Sequence, residues 1–203
     1  MFPMENKKDP PSLWGEFFPK SRMIWKWDES GDSRISDLWH MRTELSACGE
    51  VAYAKWYRGR ATFFSLPVFS ALLKSLAIPN PALKPLSKTA ASMLETLDDD
   101  SPRSLRYLKQ VVDLQGRYNE TAFTRVLKEL WTRLLIVGFG EIDDGAFPSL
   151  ALGSSRLLFE EQWDDAVAMK TERASKILTS LKGADNSFLK FHSRLLRHSL
   201  RKA

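Results

Sequence analysis

Apolar residues recur at helical spacing along most of the chain and gather into aromatic and β-branched runs at two places. Ser36 is placed to cap a helix carrying Leu38, Met41, Arg42 and Leu45, and Gly49 to end it. Val51 to Tyr57 and Ala61 to Ser65 read as strands, and Arg58-Gly59-Arg60 between them holds the glycine that a tight turn needs, so a hairpin is expected. Helical spacing returns through Val68, Leu72, Leu73 and Leu76. Ile78-Pro79-Asn80-Pro81 through Pro85 cannot continue that helix, because each proline removes a backbone donor and restricts the residue before it.

A second run of elements begins near Ser87. One helix passes through Ala90, Met93, Leu94 and Leu97 and ends in Asp98-Asp99-Asp100, which reads as a solvated turn. The next starts with Pro102 at a first helical position, carries Leu105, Leu108 and Val112, and is broken by Gly116. Asn119 is placed to cap a third, whose Phe123, Val126, Leu127, Leu130 and Leu134 form a buried stripe. Leu135 to Gly140 and Ala146 to Leu152, joined by Asp143-Asp144-Gly145, read as a second hairpin. Three helices followed by a hairpin is the winged-helix order. Helix is expected from about Ser155 to Leu181, with an interruption at Gly183, and again from Asn186 onward.

The expected fold is therefore mainly α with small β-hairpins (α+β), in a tandem winged-helix architecture. Residues 1–35 are an extended arm whose Trp14, Phe17 and Phe18 dock on the body, and 36–78 form a first winged-helix-like unit. Residues 86–153 form a second unit, and 154–203 are C-terminal helices with a basic tail.

Hydrophobic residues at 43% and charged residues at 27% fit an ordinary globular protein. Cys48 is the only cysteine, the start of the chain lacks the features of a leader, and the longest apolar stretches fall short of a membrane span, so a cytoplasmic protein that does not enter the membrane is expected. The net charge of +5 is concentrated. Lys190, Arg194, Arg197, Arg201 and Lys202 close the chain without an acid, and the rest of the sequence is balanced. Lys190, Arg194, Arg197 and Arg201 recur at one helical face, with Phe188, Phe191 and Leu195 on another. That stripe suits a polyanion, although simple solvation of a helix face and a membrane-surface role fit the same pattern.

In a helix-turn-helix the second helix enters the major groove. Thr121, Thr124, Arg125 and Lys128 on the polar face of the third helix supply the donors for phosphates and base edges, while an interaction module with the same polar face is the competing reading. Glu141, Asp143 and Asp144 make the second hairpin a poor partner for phosphate. In the first hairpin Lys55, Arg58 and Arg60 lie beside Trp56 and Tyr57. Either the aromatics and cations together serve a nucleic acid, or the aromatics fill the core and the arginines solvate the turn. His40, His192 and His198 are far apart, no glycine-rich phosphate loop occurs, and Cys48 lacks an activating motif, so no metal, cofactor or catalytic residue is expected.

The runs LWHMRTELSACGEVAYAKWYRGRATFFS (38 to 65), LETLDDDSPRSLRYLKQVVDL (94 to 114) and LKELWTRLLIVGFGE (127 to 141) resemble the tandem winged-helix proteins related to the AlkZ/YcaQ bacterial DNA glycosylases, over roughly residues 36 to 165. The resemblance implies winged-helix units that embrace duplex DNA and, in the glycosylases themselves, hydrolytic removal of alkylated or crosslinked bases. Those enzymes carry a Gln-apolar-Gln or Gln-apolar-Asp motif. None of Gln110, Gln115 and Gln162 is expected to stand in that spacing, Gln110-Val111-Val112-Asp113 being one residue too long for it, and no catalytic residue is carried over. A non-enzymatic protein that binds double-stranded DNA, regulatory or repair-associated, is the expectation. A divergent glycosylase and a protein-interaction module anchored by exposed tryptophans are the alternatives, and oligomeric state is not legible.

Overall fold

The computed structural model describes residues 10–21, 23, 32–78, 83–145, 148–181 and 186–200. It is mainly helical with one four-stranded antiparallel sheet, an α+β fold. The helices are α1 (Leu13–Phe17), α2 (Ser33–Ala47), α3 (Leu66–Leu76), α4 (Lys88–Asp99), α5 (Leu105–Val111), α6 (Glu120–Thr132), α7 (Ser155–Leu158), α8 (Glu160–Ala168), α9 (Thr171–Thr179) and α10 (Asn186–Ser199). The strands are β1 (Val51–Lys55), β2 (Ala61–Ser65), β3 (Ile136–Ile142) and β4 (Ser149–Ser154).

Both expected hairpins form, but they do not stand apart. β1 pairs with β3 through Tyr53 and Gly138, giving the order β2-β1-β3-β4. Glycine is required at that crossing: a Cβ on Gly138 would overlap the Tyr53 ring, with Cε1 at 2.7 Å. One core then runs beneath the sheet, from Trp56, Phe64 and Phe69 through Met93, Leu97 and Leu130 to Phe159 and Phe191.

Several element ends differ from the sequence pattern, each for a local reason. α2 starts earlier than a Ser36 cap implies, because Asp32 accepts from the Arg34 amide; its far end is as expected, with Gly49 at φ 74° just beyond it. The arm is not wholly extended. α1 forms with Ser12 as its cap and buries Trp14, whose indole donates to the Ser21 carbonyl, while Phe17 stays 52% exposed. Pro102 does not begin α5, because Arg103 exchanges two backbone hydrogen bonds with Leu152 of β4 and Ser104 then caps the helix. Asn119 makes no side-chain cap for α6; its amide donates instead to the Gln115 carbonyl.

Helix over Ser155 to Leu181 is interrupted at Phe159 and Met169, both buried and both out of helical geometry. Their side chains turn into the core, Phe159 edge-on to Phe69 at 5.3 Å, which a straight helix would not allow. The prolines at 79 and 81, Ala146, Gly183, Arg201 and Lys202 lie outside the described residues. Among the described residues no helix is long and apolar enough to cross a membrane.

Candidate nucleic-acid interface

The first hairpin turn is built on its aromatics. Trp56 and Tyr57 are 1% and 3% exposed, so the core reading of this pair holds and neither ring is available for stacking on a base. Around them the cations point outward: Lys55, Arg58 and Arg60 are all exposed. Arg58 occupies the left-handed region at φ 54°, which costs a non-glycine residue on the order of 1 kcal/mol, and its guanidinium lies over the Tyr57 ring at 5.2 Å.

The tail docks onto the same aromatics. Phe191 of α10 meets Trp56 and Tyr57 edge-on at 5.0 Å each, and Phe188 lies 5.7 Å from Trp56. His192 Nε2 is 2.8 Å from the Ser75 hydroxyl of α3, and burial pushes the His192 pKa down. Lys84 clamps the far end of α10, its amide donating to the Ser199 carbonyl and its ammonium to the His198 carbonyl. With Phe188 and Phe191 turned inward, Lys190, Arg194 and Arg197 remain exposed, and Arg194 lies over Phe191 at 5.3 Å. Arg58, Tyr57, Phe191 and Arg194 thus form a continuous chain of ring contacts, which brings one hairpin cation and one tail cation together.

α6 joins this surface at one end. The Trp56 indole donates to the carbonyl of Thr132, one turn beyond Lys128. Thr121, Thr124, Arg125 and Lys128 are exposed along α6 as the helical pattern requires, the first three lying further from the hairpin. Sequence reading passed over Tyr118. It is 102% exposed in the turn Arg117–Asn119 that leads into α6, and its signal was a large aromatic outside the apolar stripe, next to Arg117.

Among the described residues, Lys55, Arg60, Arg125, Lys128, Lys190, Arg194 and Arg197 enter no ion pair. Several acids are paired with other cations. Glu141 pairs with Arg42, Glu120 with Lys109 and Asp100 with Arg103. Asp98 is not the solvated turn residue its run suggests, because it accepts from the Ser154 hydroxyl and lies 4.0 Å from Arg156. Among the described residues no group of three or more His, Cys, Asp or Glu side chains is arranged to hold a metal ion.

The expectation that no glutamine stands in the glycosylase spacing is overturned at Gln162. Gln162-Trp163-Asp164 does have the Gln-apolar-Asp spacing that Gln110 lacks. It lies within α8, where residues two apart project about 200° from each other, so Gln162 and Asp164 leave the helix on nearly opposite sides.

Fold and surface together define a mainly helical α+β protein with cations from distant segments gathered around an aromatic cluster. The chain belongs to the AlkZ-related family, whose sequence model matches residues 1–186, a span that takes in the arm as well as the two hairpins. No curated protein and no solved structure matches it.

Proposed function

We propose that this protein binds double-stranded DNA without cutting or excising it, in a regulatory or repair-associated role. In this reading residues 86–153 are a winged-helix unit with α6 as the recognition helix, and residues 36–78 are a second unit whose hairpin extends the wing sheet. Pairing of Arg103 with Leu152 supports it, because a one-residue bridge between the first two helices that joins the wing stands where the first strand falls in the order helix, strand, helix, helix, strand, strand.

The observation that carries the proposal is the junction of hairpin and tail. Lys55, Arg58, Arg60, Lys190, Arg194 and Arg197 come from segments more than a hundred residues apart, and a buried aromatic cluster holds their backbones side by side. Their exposure suits neutralisation of successive phosphates, which gives affinity and orientation with little sequence information. Membership of the AlkZ-related family adds the association with DNA repair. Arg201 belongs to the same proposed stripe by its spacing.

Binding of a labelled duplex by fluorescence anisotropy at several salt concentrations tests this. Each phosphate contact contributes about −0.9 to the slope of log affinity against log salt. The triple variant K190Q/R194Q/R197Q is expected to lower that slope by about 2 to 3, and R58Q/R60Q by about 1 to 2. Absence of duplex binding at low salt overturns the proposal.

A divergent glycosylase is the second reading, favoured by the spacing of Gln162-Trp163-Asp164. Incubation with alkylated duplex and an assay for abasic sites separates the two; product above background that is lost in Q162A establishes the enzyme.

A further inference from the structure

A cleft of about 510 Å³ lies between the segment before α4, the start of β3 and α8. Ala77, Leu83, Pro85, Leu86, Leu94 and Leu135 give it an apolar lining, and Trp163 forms one wall. At one end stand Arg133 and Lys84. At the other, Asp98 and Arg156 lead into an adjoining recess bordered by Glu160 and Asp164.

Arg133 is the unusual member. Burial pushes its pKa down, against the opposing influence of Glu129. Yet both carboxylate oxygens of Glu129 are taken by Ser87, one by its amide at 2.8 Å and one by its hydroxyl at 2.7 Å. No carboxylate among the described residues forms an ion pair with Arg133, which spends donors only on the carbonyls of Lys84 at 3.0 Å and Leu76 at 3.4 Å. A guanidinium has five N–H donors in a planar fork that matches a carboxylate. A half-buried one that makes no direct ion pair, at the end of an apolar cleft, keeps donors free for an anion.

We propose that the cleft binds a small organic carboxylate with an aromatic body. Its carboxylate lies against Arg133 and Lys84, and its ring packs on Trp163 and the leucines. The two ends fix the orientation, since Asp98, Glu160 and Asp164 outnumber the single cation Arg156 at the far recess. The site shares none of the cations proposed to meet DNA, while its Lys84 also holds the last turn of α10.

Isothermal titration with naphthalene-2-carboxylate and with its neutral isostere naphthalene-2-carboxamide tests this on the full chain. The acid is expected to bind at one site at least tenfold more tightly than the amide. R133Q is expected to erase that preference while leaving amide binding in place, and L94W, which fills the cleft, to weaken both at least tenfold. Equal affinities for acid and amide in the unmodified protein, no saturable binding of the acid, or unchanged binding in L94W overturns the proposal. Far-UV circular dichroism checks that each variant folds, and the acid-against-amide comparison needs no variant at all.

Discussion

The indole Nε1 of Trp56 donates to the main-chain carbonyl of Thr132 at 3.1 Å, so the first hairpin closes the last turn of a helix 76 residues further along. The last carbonyls of a helix have no partner within it, and this one is met by a buried side chain. The same indole is edge-on to Phe64 and Phe191, which makes one residue the joint between hairpin, recognition-helix candidate and tail. W56F keeps an aromatic ring but removes the donor and leaves a void. A loss of about 2 to 3 kcal/mol in urea unfolding is expected, together with weaker duplex binding as the tail loosens. A loss below about 0.5 kcal/mol would mean the bond does not hold the joint.

The Tyr53 and Gly138 crossing predicts a steric lock. Tyr53 is 1% exposed, so its ring has nowhere to retreat when a methyl group is added opposite. G138A is expected to destabilise the protein by about 1 to 3 kcal/mol, and Y53A in the same chain to remove part of the clash, so that the double variant is more stable than the two single losses add up to. Strict additivity in urea melts would show that the two residues do not meet.

How the two hairpins join was the part least readable from sequence. The helix stripes and both turns follow from spacing and glycine placement, which are local. The pairing of β1 with β3 depends on a glycine that only the facing Tyr53 explains, and nothing in either hairpin's own pattern announces a partner 85 residues away. The breaks at Phe159 and Met169 were likewise hidden, because an apolar residue at helical spacing does not say that the core will pull it out of the helix. Of the candidate surface, the cations were legible as types and positions. That Trp56 and Tyr57 are buried under them, and that the tail docks there, is a matter of long-range packing.

Docking of α10 predicts a pH dependence with a definite sign. His192 is buried against Ser75 and its folded pKa lies below the ordinary value, through burial alone. As pH falls through about 6.5 the unfolded chain binds a proton that the folded chain resists, so stability is full above that range and is lost as pH falls through the folded pKa. H192Q keeps a polar partner for Ser75 and cannot titrate. The unmodified protein is expected to lose more melting temperature than H192Q between pH 7.5 and pH 5.5; equal losses would mean that His192 does not carry the dependence.

Tyr118 separates the contribution of α6 from that of the hairpin and tail. A fully exposed tyrosine contributes little to the fold, so Y118A is expected to shift stability by less than about 0.5 kcal/mol. Its turn is nonetheless fixed by the Asn119 amide on the Gln115 carbonyl, which presents the phenol at the start of the helix proposed to enter the groove. There the hydroxyl can donate to a phosphate while the ring covers a sugar, and removing both is expected to weaken duplex binding about fivefold to tenfold, a cost of about 1 to 1.4 kcal/mol. Y118F keeps the ring and apportions the effect. R125Q, in the second turn of the helix, is expected to lower affinity as well and to reduce the salt slope by about 1, which Y118A, carrying no charge, does not. Unchanged binding in both Y118A and R125Q would remove α6 from the interface and leave a surface made of the hairpin and the tail.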